Sequence, residues 1–406
     1  MKESIPVNEC QGGVTAPKGF VAGGLYCGIR KMKKDLAMIR SVNPAVIAGV
    51  FTLNRTQAAP ILVGKVQLQR SKHCSAVVVN SGNANACTGE RGLNDAWEMV
   101  RMTAQALGLP EEQVMISSTG VIGQYMPMDK VKEGIRQLAG QLTAEGNGDA
   151  AQAIMTTDTF SKEAAVRFSL GAATVTIGGM AKGSGMIAPN MATMLGFITT
   201  DAVISPSLLQ KALSRANQRS FNRLTVDGDM STNDMVLLLA NGQAKNESFG
   251  EHSEEFHLFS AALEYVLIKL AKMIARDGEG ATKLIEIVVK GARSEEEAAQ
   301  AARSVANSNL VKTAIHGCDA NWGRIMAAVG YSGIDFVPEE TEILFGELPV
   351  LNKNYEIVLD EEKGKAVLSQ DFVQIVIDLN RGSQQVRFWT CDLTKEYVHI
   401  NASYRS

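Results

Sequence analysis

Apolar residues in this chain recur at two alternating spacings, short strand-like runs and longer stretches at helical spacing, and that alternation restricts the fold to layered α/β architectures. The first repeat of the pattern runs from Ala76 to Val79, through the polar turn NSGNANACTGERG, into a helix with Asn94 near its cap. That helix presents Trp97, Val100, Ala104 and Leu107 on one face and stops at Gly108 and Pro110. A strand at Val114 to Ser117, the turn Ser118-Thr119-Gly120 and a helix bearing Val131, Ile135, Leu138 and Leu142 follow. The alternating segments Val166-Phe168-Leu170 and Val175-Ile177 read as a hairpin turning near Gly171.

Further along, Ser205 is an N-cap with Pro206 at the first helical position. Two strands, Leu224 to Val226 and Met235 to Ala240, flank the loop DGDMSTND. A long helix then aligns Phe256, Phe259, Leu263, Val266 and Leu270. From residue 283 the strand LIEIVV, a helix opened by the capping box Ser294 to Glu297, a helix at Trp322 to Ala328 and a strand at Ile343 to Phe345 predict a smaller α/β subdomain over about 283–350. Two more strands are expected at Phe372 to Leu379 and Val386 to Leu393.

Composition narrows the function. With 406 residues the chain is long enough for two or three domains at roughly 150 residues each. Forty Lys plus Arg against 43 Asp plus Glu leave a net charge of -3 and no basic block to neutralise a row of phosphates, which argues against nucleic acid as a partner. No apolar run approaches the roughly 18 residues that cross a bilayer, so no membrane is expected. The first 20 residues lack the apolar stretch of an export signal, and six cysteines without a Cys-x-x-Cys pair suit reduced thiols, so a cytoplasmic protein is expected.

No phosphate loop, zinc-protease or serine-elbow motif is present. His73 and Cys74 are neighbours, but strand neighbours point to opposite faces and cannot act jointly. Asp227, Asp229 and Asp234 lack the glycine and closing glutamate of a calcium loop and read as a solvated or hydrogen-bonding turn, so no metal is expected. The stretch from Ala181 to Ala202 differs. Small, flexible residues lead to Ala192-Thr193 at the mouth of a strand, Leu195 to Thr199. A hydroxyl residue behind a tiny one is how a self-cleaving N-terminal nucleophile is built: Thr193 Oγ attacks the Ala192 carbonyl, the N-to-O acyl shift breaks the peptide bond and frees the α-amine, and hydrolysis of the ester restores the hydroxyl, for which that amine serves as base. A structural threonine opening a strand is the plainer alternative.

The segments NSGNANACTG, SSTGVIG, TTDT, KGSGMIAPNMATML, VDGDMSTND, DGEGATK, DANWGRI and NASYRS occur in order along essentially the whole chain. Together they resemble the bifunctional glutamate N-acetyltransferase/ornithine acetyltransferase family of arginine biosynthesis. The resemblance implies a layered sandwich of sheets flanked by helices, the self-processing N-terminal-nucleophile-like acyltransferase fold. It implies cleavage between Ala192 and Thr193, giving an α chain of residues 1–192 and a β chain of residues 193–406, associated as a heterotetramer of two αβ units. Thr193 would then carry acetyl from N-acetylornithine to glutamate, with Thr119 and Gly120 as the oxyanion hole. Substrate-binding positions carried over are Thr156, Lys182, Thr193, Glu279, Asn401 and Ser406, the last standing where threonine is usual. Lys182 and Glu279 suit the carboxylate and the distal ammonium of an amino-acid substrate. No resident cofactor is implied; acetyl-CoA remains open as a second donor. A self-processing aminopeptidase, with water as acceptor, and a non-catalytic amino-acid-binding protein are the competing readings.

Overall fold

The structure, a computed structural model, describes residues 7–188 and 194–403. It divides into two units. The first comprises Met1–Gly183, Asn190–Asn222 and Met230–Leu270; the second comprises Ser184–Pro189, Arg223–Asp229 and Ala271–Ser406.

Among its described residues the first unit holds nine strands: β1 (Asn8–Glu9), β2 (Phe20–Leu25), β3 (Leu36–Phe51), β4 (His73–Asn83), β5 (Val114–Val121), β6 (Lys162–Leu170), β7 (Ala173–Lys182), β8 (Leu195–Thr200) and β9 (Met235–Ala240). Their order is β1-β6-β7-β8-β9-β3-β4-β5, with β2 also on β3. Its helices are α1 (Ala59–Arg70), α2 (Gly89–Leu107), α3 (Met128–Ala139), α4 (Asn147–Ala153) and α5 (Pro206–Arg219), and α6 (Glu254–Arg276) begins in it. The β4–β5 and β8–β9 pairs are parallel, and such pairs need a crossover, which α2 and α5 supply.

Straight, the sixteen residues of β3 would span about 50 Å. Yet its first residue pairs with Asn80, beside Ser118, its last pairs with Met235, and Asn233 donates to the Ser118 carbonyl at 2.9 Å. The two ends of β3 therefore come together. The pairing of β3 with β4 breaks between Arg40 and Ala45, around Pro44, where a residue without an N–H cannot serve a ladder. The sheet thus folds into two layers. Ala37, Ile39, Val77 and Val79 share a core with Met180, Leu195, Phe197 and Leu237. On the other face of β3–β5, Met38, Val78 and Ile116 pack against Ala96 and Val100 of α2 and Ile135 of α3. The second layer is covered by α5, whose Gln210 side chain bonds the Gly49 backbone, and by α6, whose Leu270 packs on Gly179. Helix, sheet, sheet, helix is the layered α/β sandwich expected.

The second unit is a six-stranded sheet of β10 (Leu284–Ala292), β11 (Glu342–Phe345), β12 (Leu348–Asn352), β13 (Glu356–Ile357), β14 (Phe372–Asp378) and β15 (Gln384–Cys391), ordered β13-β12-β11-β14-β10-β15. With it go α7 (Glu295–Asn307), α8 (Asn309–His316), α9 (Trp322–Gly330), α10 (Glu361–Leu368) and α11 (Lys395–Ala402). Ile285, Ile287 and Val289 pack against Ala298, Ala302 and Val305 of α7. Ser294 caps α7 as expected, accepting from the Glu297 N–H at 3.1 Å, but the Glu297 carboxylate returns to the N–H of Arg293 instead of that of Ser294.

Four local expectations change. Ser118, Thr119 and Gly120 do not form a turn but continue strand β5, paired with Asn80, Ser81 and Gly82 of β4. Leu224 to Val226 is not a strand; Leu224 makes one bridge, to Trp389. Leu142 lies beyond the end of α3. Helix α2 starts at Gly89, five residues before Asn94, because Asn85, Cys87 and Gly89 take left-handed backbone, the Thr88 hydroxyl donates to Asn85 Oδ1 and Asn85 Nδ2 donates to the Gly92 carbonyl, closing the turn earlier. Among the described residues no helix is long and apolar enough to cross a membrane.

Candidate active site

In the first unit, Thr119 and Gly120 sit at the carboxyl end of β5 against the carboxyl end of β4, the end of a parallel pair where open α/β sheets bind ligands. Gly120 has φ +136°, and a Cβ there would lie 2.3 Å from the Gly82 carbonyl carbon, so only glycine fits. The polar motif on β4 builds the support. Ser118 donates to Asn80 Oδ1 at 2.6 Å, and Asn80 Nδ2 donates to the Asn83 carbonyl at 2.8 Å. Asn233 Nδ2 donates to the carbonyls of Ala84 and Ser118, fixing the peptide that precedes Thr119.

Thr119 lines a small recess with Lys182, Met194, Leu195, Ser231, Asn233 and Asp234. Lys182 ends β7 and is 4% exposed. Asp234 is buried, and its Oδ2 has no hydrogen-bond partner among the described residues. Burial pushes the Asp234 carboxyl well up, against the opposing pull of the Lys182 charge, the Met194 N–H and the hydroxyls of Thr52 and Ser231.

A second buried carboxyl, Asp158, lies in the opposite state. Its Oδ1 accepts from Lys162 Nζ at 2.7 Å and from the Gly183 N–H at 2.7 Å; its Oδ2 accepts from the Thr156 N–H at 2.9 Å. Burial alone would raise it, but the charges of Lys182 and Lys162 and these bonds outweigh burial and hold it well below the ordinary range. Arg30 clamps the same loop by donating to the carbonyls of Met155 and Thr156. Thr156 and Lys182 are thus brought together around Asp158.

In the second unit, Glu279 is 8% exposed, and its Oε2 accepts from Asn401 Nδ2 at 2.7 Å. Its N–H donates to the Ser184 carbonyl, Ser184 Oγ donates to the Asp277 carbonyl, and a Cβ on Gly185 would strike the Glu279 carboxylate. The residues after Gly185 are held by Asp227, which accepts from the N–H groups of Met186 and Ile187 and from the Tyr397 hydroxyl. Burial and the neighbouring Asp227 raise the Tyr397 hydroxyl. Asp227 is therefore a hydrogen-bonding turn residue, as expected, whereas Asp234 is buried and not part of a solvated turn.

Ala192, Thr193 and Ser406 lie outside the described residues. His73 is exposed and Cys74 buried on opposite faces of β4, and burial pushes the Cys74 thiol up to about 12. No cluster of His, Cys, Asp or Glu able to hold a metal occurs among the described residues. Sequence reading passed over Asp158, Lys162, Asn233 and Asp234 as site residues. Asp158, Asn233 and Asp234 stand inside quoted motifs, and a polar residue in a motif that no turn requires was the available signal.

A buried ammonium flanked by carboxyl groups, with a hydroxyl and a glycine at a strand end, marks the first unit as an enzyme of the layered α/β sandwich class. The chain matches the ArgJ family over residues 21–406. Among curated relatives it is 53% identical to the arginine biosynthesis bifunctional protein ArgJ of Symbiobacterium thermophilum, over 97% of this chain and 99% of that one. It is 50% identical to the ArgJ protein of Bacillus subtilis, over 97% of each. A solved ornithine acetyltransferase from Mycobacterium tuberculosis, complexed with ornithine, is 39% identical with a TM-score of 0.43, covering 45% of this chain and 98% of that one. The chain belongs to the ArgJ family of arginine biosynthesis enzymes.

Proposed function

We propose that this enzyme moves an acetyl group from N-acetylornithine to glutamate through an acetyl ester on Thr193, in the cytoplasm. The observation that carries this reading is membership of the ArgJ family over nearly the whole chain, in which Thr119 and Lys182 line one recess with Met194, the residue that follows Thr193. Autocleavage after Ala192 makes Thr193 the first residue of the β chain, and its own amine takes the hydroxyl proton as Oγ attacks the acetyl carbonyl. The Thr119 hydroxyl and the Gly120 N–H receive the oxyanion. Lys182 holds the substrate carboxylate and Glu279 its distal ammonium, with Thr156, Asn401 and Ser406 completing the contacts. Ornithine leaves before glutamate enters. The working form is a heterotetramer of two αβ units, with no resident cofactor.

The test is kinetic. A covalent acetyl group on the enzyme gives parallel double-reciprocal lines and a β chain heavier by one acetyl when N-acetylornithine is supplied without glutamate. Intersecting lines with an unmodified β chain would overturn the covalent route. Ornithine release at the same steady rate without glutamate would mark a hydrolase. An assay with acetyl-CoA in place of N-acetylornithine decides the second donor.

A further inference from the structure

Lys182 stands between two buried carboxyl groups that differ in how they are paired. Asp158 has a lysine, Lys162, at 2.7 Å and two backbone N–H donors. Asp234 is 1% exposed, its Oδ2 has no hydrogen-bond partner among the described residues, and it lines the recess that Lys182 and Thr119 share. Two carboxyl groups whose surroundings push them apart are the mark of a site in which one holds charge and the other holds a proton.

We propose that Asp234 is a positioning residue that sets how strongly Lys182 holds the substrate carboxylate: as a neutral acid it leaves the Lys182 charge to the substrate, and as an anion it competes with the substrate for that charge. The inference rests on the acetyl-transfer reading and deepens it. Asp234 is reached from several elements. Lys182 comes from β7, the Met194 N–H from the residue before β8, and the hydroxyls of Thr52 and Ser231 from the ends flanking β3 and β9; the charged pair Asp158 and Lys162 acts around the same lysine. Burial of an acid with a bare oxygen outweighs the lysine, so the neutral form persists upward from the ordinary carboxylate range and is lost as pH climbs through the raised value.

The experiment follows KM for N-acetylornithine from acid to alkaline pH, across the range in which the protein stays folded, with kcat recorded separately. In the wild-type enzyme KM rises on the order of tenfold as Asp234 ionises, the effect of one added charge beside a buried lysine. In Asp234→Asn, which cannot ionise, the ratio of variant to wild-type KM falls steadily over the same range. Ser231→Ala removes a hydroxyl that favours the anion, so the wild-type rise begins at higher pH; this second variant keeps the test open where Asp234→Asn does not fold. An Asp234→Asn profile that climbs in parallel with wild type, or a lowered kcat with no change in the KM profile, would reduce Asp234 to a structural role and overturn the proposal. Should the wild-type protein transfer no acetyl group, the functional reading fails by itself. Calorimetric binding of N-acetylornithine over the same pH series still decides Asp234, and a wild-type Kd that does not weaken with pH overturns it.

Discussion

Gly120 approaches Gly82 so closely that a side-chain carbon on Gly120 would lie 2.3 Å from the Gly82 carbonyl carbon and 2.5 Å from the Asn83 nitrogen. Both glycines have positive φ, +136° and +93°. The carboxyl end of β5 can therefore lie against β4 only with glycine at position 120, and the strand end that presents Thr119 depends on that approach.

Gly120→Ala is expected to cost at least about 2 kcal/mol, from left-handed strain plus a clash with backbone that cannot yield as a flexible side chain would. The measurements are the thermal midpoint and kcat, and both should fall. An alanine variant with wild-type stability would show that the two strand ends are free to separate.

Thr119→Ala leaves the backbone in place and removes one hydroxyl at the rim of the recess. If that hydroxyl meets charge that develops only during acyl transfer, kcat falls about a hundredfold while KM for N-acetylornithine scarcely moves. A variant that instead raises KM with kcat intact would make Thr119 a ground-state contact.

Thr193→Ala removes the hydroxyl proposed to cleave the chain. Intact-mass measurement should find the wild-type protein split after Ala192 and the variant as one chain. A split variant would assign the cleavage to another nucleophile.

The layered architecture was legible because β4, α2 and β5 announce themselves by spacing, and glycines at their ends mark where backbones must approach. The N-terminal part was not. β3 owes its strand state to partners on both edges and bends at Pro44, so its run LAMIRSVNPAVIAGVF carries no clean period of two. The hydroxyl and glycine of Thr119 and Gly120 stood out as a motif, whereas Asp234 read as one more acid in a polar loop. It lines a recess with Thr119, Lys182 and Met194, residues brought to it from distant parts of the chain, and no local pattern encodes that. Lys162 was hidden for a similar reason. A lysine on an alternating strand reads as solvent-facing until its partner Asp158, four residues away, is seen buried with it.

Glu279 and Asn401 make a contact that separates charge from shape. Glu279→Gln preserves the side-chain outline and an oxygen for the Asn401 amide, yet removes the negative charge. N-acetylornithine has a distal ammonium and glutamate has none, so KM should rise at least about tenfold for the first and much less for the second. Equal rises for both substrates would mean that Glu279 positions the α11 helix and does not contact the ammonium.

The buried pair of Asp158 and Lys162 makes stability depend on acid in a defined direction. The Asp158 carboxyl is held below its ordinary value by the charges of Lys182 and Lys162 acting against burial, so the folded state binds that proton less readily than the unfolded state. Its stabilising contribution is complete above the unfolded carboxylate value of about 3.9 and is lost as pH falls from there toward the lower folded value. Asp158→Asn removes one partner and leaves a lysine with 0% side-chain exposure without its carboxylate. A loss of about 3–5 kcal/mol at neutral pH is expected. Denaturant titrations at neutral pH and at a series of values below about 4 check both parts. The gap between wild type and variant should be wide and constant at neutral pH and narrow as the solution becomes strongly acid. A gap that stays constant into strong acid would show that Asp158 stabilises the fold by its hydrogen bonds to the Thr156 and Gly183 backbone and not by its charge.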